Sequence, residues 1–384
     1  MDVLMLVVNE LSRDARVLRE ARALCEAGSS VLVIGLREDK PDWRPEGQWA
    51  ANLSTMQLPL SKYRGDSIYS YTWYYCRFFV FCAIFLIREQ IRPQVAVAHS
   101  MPELIVLCLW PLKWSSAKTK IVLDVHDLTP ELFATKFEGA RIQRAVNAIT
   151  GISMRAPDHI VTVSDAYGAL IEEKYNRESL VVANFPDDNV WAPREPLPWG
   201  AGRCQFVFHG TVSHRNGVLD LIEAFALVKD GLPLVRLRFL GDGDAVADLQ
   251  MAVARLGLGD AVEVTGSYVP LESLPRHLSD CHVGVSPLQL DSFTTNALPT
   301  KALEYLSHGM PLVASRVPEL SKLVPEHCAL FFEPNSVEDL AAKLCQAATD
   351  ATAAIERAAR GLALDLNWSN EAWKLQAMIQ EMLT

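Results

Sequence analysis

The chain has 384 residues, of which 50% are hydrophobic and 21% charged, and its formal net charge is −10. This composition is typical of a globular protein that is long enough for two domains. The negative charge, together with the lack of a basic run, argues against a nucleic-acid partner.

The cysteines and the N-terminal residues indicate in which cellular compartment the protein is expected. The eight cysteines are scattered, mostly within apolar runs, and form no Cys-x-x-Cys pair. We therefore expect buried free thiols in a reducing cytoplasm, and neither a disulfide framework nor a zinc site. The first ten residues lack the basic start and the length of a signal peptide. We predict a cytoplasmic protein, with peripheral contact at the inner face of the membrane as an open possibility.

Continuous apolar strands alternate with helices in the first half of the chain. We predict strands at residues 3–8, 30–36, 95–98, 120–125 and 159–163. Ser12 is expected to cap the first helix, and Gly28 to end it. Apolar strands alternating with helices predict a parallel sheet that is buried on both faces.

Residues 69–87 form the most apolar segment, rich in aromatic residues and interrupted by Arg77. We predict a crossover helix packed on the sheet. The alternative is a helix at a membrane surface, with tyrosine and tryptophan at the level of the lipid headgroups.

Residues 184–203 contain several prolines and little periodicity, which is typical of a domain boundary. We place the linker at 187–203, between domains at 1–186 and 204–367. Strands are predicted in the second domain at residues 205–209, 235–240, 261–265, 282–286, 311–314 and 329–332, and the chain closes with a helix.

The segment 291–315 carries the strongest functional signal. Pro299 is typical of a helix start and Gly309 of a helix end, so residues 300–308 are predicted to be helical. The free N–H groups and the positive dipole end of such a helix suit a diphosphate. Glu304, one turn further in, can accept both hydroxyls of a ribose. This arrangement predicts a site for a nucleotide-sugar.

Turns after three other strands add candidates. Arg215 lies in the turn after residues 205–209, and its guanidinium suits phosphate oxygens. The LGDGD turn at residues 240–244 contains Gly241 and Gly243, which allow close backbone approach to a ligand. Its Asp-x-Asp triplet also leaves a metal site as the less favoured interpretation. His126 follows the strand at 120–125 and is interpreted either as a cleft residue or as an ordinary strand-end histidine.

The spacing around Glu304 resembles the donor motif of retaining family-4 glycosyltransferases, which has Glu, seven residues, and a second Glu. Glu304 occupies the second position and Asn296 the first, and residues 299–305 match a Pro-Thr-Lys-x-x-Glu-Tyr variant. The resemblance implies an α/β chain of the GT-B class, with two Rossmann-like, doubly wound parallel-sheet domains that face a cleft. The C-terminal helix, residues 368–384, would pack back on the N-terminal, acceptor-binding domain.

The resemblance also assigns roles to residues. It implies no metal and no cofactor, with a UDP- or GDP-linked sugar as co-substrate. The expected catalytic residues are His126, Arg215 and Lys301. The expected donor-binding residues are Gly210, Gly241, Gly243, Gly266, Ser267, Asn296, Leu298, Pro299, Thr300 and Glu304. The expected acceptor-binding residues are Asn9, Arg13, Arg16, His99 and Asp127.

Three departures from the family pattern keep alternatives open. Asn296 replaces the first Glu, Asn216 replaces a basic residue, and the loop at residues 9–16 lacks the Gly-rich turn. The favoured hypothesis is a retaining glycosyltransferase that acts on a hydroxyl acceptor, lipid-linked, saccharide or a small natural product. The alternatives are a catalytically weak glycosyltransferase-like partner protein and a nucleotide-sugar epimerase on the same fold.

Overall fold

The computed structural model describes residues 1–38, 45, 48–61, 68–115, 118–136, 139–200, 202–291 and 294–384. The chain divides into two units, one formed by Met1–Ala183 with Glu371–Thr384 and the other by Asn184–Asn370. Residues 292 and 293 of the predicted donor segment lie outside the described residues.

The first unit is built on a seven-stranded sheet whose strands are all parallel and whose order is β3-β2-β1-β4-β5-β6-β7. The central strands are continuous apolar runs, which explains why helices must cover both faces. The strands are β1 (Val3–Val7), β2 (Val31–Gly35), β3 (Leu53–Gln57), β4 (Val95–His99), β5 (Lys120–Val125), β6 (His159–Thr162) and β7 (Leu180–Val181). The helices are α1 (Ala15–Glu26), α2 (Ile68–Arg88), α3 (Trp110–Ser115), α4 (Thr129–Lys136), α5 (Ala140–Arg155) and α6 (Asp165–Tyr175).

The second unit repeats the design with a six-stranded parallel sheet of order β10-β9-β8-β11-β12-β13. Its strands are β8 (Gln205–His209), β9 (Arg236–Leu240), β10 (Val262–Val264), β11 (Val283–Ser286), β12 (Leu312–Ser315) and β13 (Leu330–Phe332). Its helices are α7 (Val218–Gly231), α8 (Val246–Arg255), α9 (Leu274–His277), α10 (Thr300–Ser307), α11 (Pro318–Leu323), α12 (Val337–Thr349) and α13 (Ala351–Leu362); the chain ends in α14 (Ser369–Leu383).

Both sheets reverse their strand order once, between β1 and β4 in the first unit and between β8 and β11 in the second. In open parallel sheets a crevice forms at the carboxyl ends of the strands beside such a switch point, and ligands bind there. The predicted pair of Rossmann-like parallel-sheet domains is confirmed.

Details of the first unit differ from the predictions. Strands β3 and β7 were not predicted, because neither segment has a long apolar run. Asp14, rather than Ser12, caps α1 by accepting a hydrogen bond from the N–H of Val17. The hydroxyl of Ser12 is bonded to Glu38 instead.

The proline-rich segment 187–203 groups with the second unit. Trp191 is buried, and Arg194 donates to the carbonyl oxygens of Leu278 and Cys281. The last helix groups mostly with the first unit: Gln376 donates to the carbonyl of Ala23 over 2.8 Å.

Exposure bears on two predictions. Helix α2 packs on the first unit through one face, as predicted, and large apolar residues on its other face are exposed. All eight cysteines are free, as expected, but Cys76 and Cys345 are exposed rather than buried. Apolar surroundings in the sequence do not reveal which side of a helix faces the core.

Candidate active site

A cavity of about 620 Å³ lies in the second unit, at the switch point between β8 and β11. Five segments supply its walls: the turns after β8 and β9, the loops after β10 and β11, and the start of α10. The lining residues are His209, Gly210, Thr211, Ser213, Arg215, Asn216, Asp244, Tyr268, Val269, Leu271, Leu274, Leu288, Thr294, Ala297, Leu298, Pro299, Thr300, Lys301 and Glu304.

Helix α10 begins at the cavity, directly after Pro299, and Gly309 follows its last turn with φ +72°. Its first turn therefore presents N–H groups without helical partners to the cavity. Lys301 places its Nζ 4.4 Å from the centre of the Phe208 ring. Burial lowers the pKa of Lys301 to about 8, although the carboxylate of Glu304 opposes this shift.

His209, the last residue of β8, is held between two aromatic rings. Trp191 stacks on it at 5.4 Å, and Tyr305 meets it edge-on at 4.8 Å. The Nε2 of His209 lies 3.3 Å from Glu304 Oε2 but makes no hydrogen bond with any described residue. Burial, assisted by Lys301, lowers the pKa of His209 to about 3, so the ring is neutral.

Two predicted donor residues act on the loop rather than lining the cavity. A Cβ at Gly241 would lie 2.0 Å from the carbonyl oxygen of Gly210, and one at Gly243 would lie 2.2 Å from that of Val212. Both glycines have positive φ values, +142° and +157°. The two glycines therefore allow the backbone after β9 to pack closely against the turn after β8, and this packing holds that turn in place. Asn216 fastens the same turn by donating to the carbonyl of Thr211 over 2.7 Å.

The cavity brings together half of the ten predicted donor-binding residues and two of the three predicted catalytic residues, Arg215 and Lys301. Gly210, Arg215, Leu298, Pro299, Thr300, Lys301 and Glu304 line it, whereas Gly241, Gly243, Gly266, Ser267 and Asn296 do not. Sequence reasoning missed Tyr268, Val269 and Leu288, and it considered Asp244 only as part of a less favoured metal site. The first two follow the predicted Gly266–Ser267 loop directly, so extending that loop by two residues would have found them.

In the first unit, a buried charge cluster lies where β4 and β5 end. Arg16 of α1 donates two hydrogen bonds to the Asp124 carboxylate, from Nε to Oδ2 at 3.1 Å and from Nη2 to Oδ1 at 2.9 Å. Asp124 Oδ2 also lies 2.6 Å from His126 Nε2 and 3.0 Å from His99 Nδ1. Glu20 completes the cluster, 2.9 Å from Arg16 Nε.

The members of the cluster shift one another's pKa values. Burial alone would raise the pKa of Asp124, but Arg16 and His126 hold it well below its usual value. Burial lowers the pKa of His126, but the Asp124 carboxylate raises it by more, so the net shift is upward. Burial raises the pKa of Glu20 against the opposing effect of Arg16. Asp124, which was not among the predicted residues, therefore orients His126 and favours its charged form.

The ligand atoms of His99, Asp124 and His126 lie within 4.8 Å of one another, a spacing that a metal ion could use. However, the guanidinium of Arg16 already bonds both oxygens of Asp124. A cation there would be repelled by Arg16, so the charges favour a hydrogen-bonded network over a metal site.

The predicted acceptor residues have partners inside the first unit. Arg16 is buried in the cluster just described, which gives it a positioning role. Asn9 donates to Asp14 over 3.0 Å, Arg13 pairs with Glu10 at 3.1 Å, and Asp127 accepts from the Tyr167 hydroxyl at 3.1 Å. Their contact with an acceptor remains a prediction.

Two family models match the chain. One, described as a glycosyl transferase 4-like domain, covers residues 14–185, and the other, glycosyl transferases group 1, covers residues 203–350. The chain belongs to the group 1 glycosyltransferases. The two matched ranges follow the two units, and the family membership confirms the predicted resemblance.

Individual members of this glycosyltransferase group are distant. A probable glycosyltransferase WbjE of Pseudomonas aeruginosa is 25% identical over 61% of this chain and 61% of its own length. The O-antigen chain mannosyltransferase B of Escherichia coli is 28% identical over 55% of this chain and 57% of its own. The chain thus spans about three fifths of these relatives. Sucrose-phosphate synthase of Thermosynechococcus elongatus has the same fold, with a TM-score of 0.79 at 17% identity over 100% of this chain and 99% of that one.

Proposed function

We propose that this protein transfers a sugar from a UDP- or GDP-linked donor to a hydroxyl group of an acceptor, with retention of configuration. The observation that carries the proposal is the cavity at the β8–β11 switch point, which is lined by Arg215 from the turn after β8 and by Lys301 and Glu304 from α10. A cationic phosphate site and a carboxylate one helical turn apart match the two halves of a nucleoside diphosphate.

The cavity can stabilise the leaving group. As the bond to the sugar breaks, negative charge develops on the diphosphate. Lys301, Arg215 and the free N–H groups of the first turn of α10 stabilise this charge. The neutral ring of His209 has a buried Nε2 at the cavity wall, which can bond a ligand oxygen without adding charge. Glu304 is assigned to the ribose hydroxyls.

For the acceptor we propose a class of molecule. The Escherichia coli relative is named for an O-antigen chain, so we place this reaction in polysaccharide, glycolipid or glycosylated natural-product synthesis. His126, whose pKa is raised by the Asp124 carboxylate, and the predicted acceptor residues of the first unit are assigned to the acceptor side. The free cysteines are those expected of a reducing cytoplasm.

Retention has a direct test. With an α-linked donor that the protein accepts, the first product formed is expected to be the α-glycoside. The one-bond ¹³C–¹H coupling at the anomeric carbon, followed by NMR early in the reaction, measures this. An initial β-glycoside would overturn retention. Nucleotide binding without product from any donor and acceptor would favour the partner-protein alternative, and a changed sugar on the recovered donor would favour an epimerase.

The affinity for a nucleotide-sugar is expected to fall with pH above about 8. Lys301 has its pKa lowered to about 8, so it is charged below that pH, and the diphosphate binds the charged form. Affinity should be nearly constant from pH 6.5 to 7.5 and then decrease by up to about tenfold per pH unit. Calorimetric titration at each pH measures it. In Lys301→Arg the guanidinium stays charged, so the decrease should disappear; an unchanged pH profile in this variant would remove Lys301 from the phosphate site.

A further inference from the structure

Helix α2 carries apolar stripes on two opposite sides. Phe78, Cys82 and Leu86, spaced one turn apart, are buried in the core of the first unit. The opposite face carries a second apolar stripe at residues 69, 73, 80, 84 and 87. Here the exposed fractions are 85% for Tyr69, 66% for Trp73 and 68% for Ile87. A helix that is apolar on opposite sides is normally covered on both of them.

Helix α5 continues the exposed surface. Ile149 and Ile152 are exposed on it. Helices α2 and α5 together border a hollow of about 310 Å³ with an almost wholly apolar lining, and Ile142 of α5 meets Tyr69 and Trp73 of α2 at a second one. The two helices therefore form one apolar surface, called here the α2–α5 face.

The charged residues of the two helices are all positive. Helices α2 and α5 contain five arginines and no acidic residue, in a chain whose formal net charge is −10. The arginines are exposed, and none pairs with a carboxylate among the residues that the structure describes; they are Arg77, Arg88, Arg141, Arg144 and Arg155. Glu103, which borders the larger hollow, is buried, and its carboxylate accepts the N–H of Thr129.

We propose that the α2–α5 face docks on an anionic lipid bilayer. Exposed aromatic and aliphatic side chains would enter the boundary between headgroups and acyl chains, and the arginines would bind the phosphates. By length and composition α2 could cross a membrane. However, its buried stripe belongs to the core of the first unit. The helix therefore lies on the bilayer and does not span it. This inference does not depend on the proposed transfer reaction.

Vesicle co-sedimentation tests the proposal. The wild-type protein is expected to bind vesicles of phosphatidylcholine mixed with phosphatidylglycerol at low salt, and to bind pure phosphatidylcholine weakly. Trp73→Glu with Ile84→Glu should reduce binding by about tenfold or more, because exposed apolar anchors become carboxylates. Arg141→Gln with Arg144→Gln should reduce binding to the anionic vesicles by about tenfold and leave binding to phosphatidylcholine unchanged.

The matched control makes the same charge change elsewhere. Leu227→Glu with Met251→Glu alters two exposed apolar residues, 55% and 62% exposed, on helices of the second unit, and should bind vesicles as the wild type does. Absent wild-type binding, or equal loss in the control, overturns the proposal. The proposal is also overturned if the wild-type protein is a dimer without lipid and the Trp73→Glu, Ile84→Glu variant is a monomer. The α2–α5 face would then be a contact between copies of the chain. Nucleotide binding by the same samples reports separately on the donor site.

Discussion

Replacing Glu304 by alanine is expected to weaken nucleotide binding by roughly a hundredfold. In the proposed complex its carboxylate accepts two ribose hydroxyls, and charge-assisted hydrogen bonds of this kind are together worth about 3 kcal/mol. The side chain lines the cavity one turn inside α10. A panel of nucleoside diphosphates and nucleotide-sugars, read by thermal shift and then by calorimetry, measures the loss and identifies the base.

The effect of Glu304 on its neighbour must be separated from its contact with ribose. Glu304 opposes the burial that lowers the pKa of Lys301, so Glu304→Ala should lower that pKa further and remove charge from the phosphate site near pH 8. At pH 6.5 Lys301 is charged in the wild type. The difference in affinity between wild type and Glu304→Ala at this pH therefore approaches the contribution of the ribose contact alone.

Two variants control the result. Glu304→Gln keeps the shape and should lose less affinity than alanine. Glu223→Ala removes a glutamate from α7 that pairs with exposed Arg255, and it should bind nucleotides normally. Equal affinity of Glu304→Ala and wild type at both pH values would contradict the assignment of Glu304. A wild type that binds no nucleotide would remove the transferase proposal itself.

Replacing Arg16 by methionine is expected to destabilise the first unit by about 3 kcal/mol or more, because the change leaves a buried carboxylate without its main partner. Arg16 holds Asp124 through two hydrogen bonds and adds a third to the carbonyl of Val182 at 3.2 Å. Urea unfolding followed by circular dichroism measures the loss as a lower midpoint.

The same helix offers the control. Arg22 lies on α1, 2.8 Å from Glu26, but the pair is at the surface, so Arg22→Met should change the unfolding free energy by less than about 0.5 kcal/mol. Arg16→Met with Asp124→Leu should cost less than the sum of the two single changes, because it removes both members of the buried pair. Equal midpoints for Arg16→Met and Arg22→Met would show that the cluster adds no stability.

A substitution at Asp124 can distinguish a functional role of this carboxylate from a purely structural one. If Asp124 orients His126, Asp124→Asn should shift the pH dependence of turnover in addition to lowering the midpoint, since the pKa of His126 is raised by that carboxylate. A residue with a structural role only would lower the midpoint and leave the pH profile unchanged.

The alternation of apolar strands and helices, and with it the two parallel sheets, could be predicted from the amino-acid sequence. So could the helix between Pro299 and Gly309. These features depend on local spacing, which repeats within a few residues and is legible in one chain. Lys301 and Glu304 could be placed together at the cavity because one short helix carries both.

Contacts between side chains that are distant in the chain could not be predicted in this way, because they depend on the folded arrangement of the elements. Arg16 and Asp124 are 108 positions apart, and their pairing depends on where the fold places the first turn of α1 relative to the end of β5. Tyr268 and Leu288 enter the cavity because the loops after β10 and β11 bend toward the same switch point. The exposed side of α2 was equally hidden, since a helix that is apolar on opposite sides gives no periodic signal for its buried face. Periodicity is set by neighbours along the chain, whereas these contacts are set by topology and loop geometry.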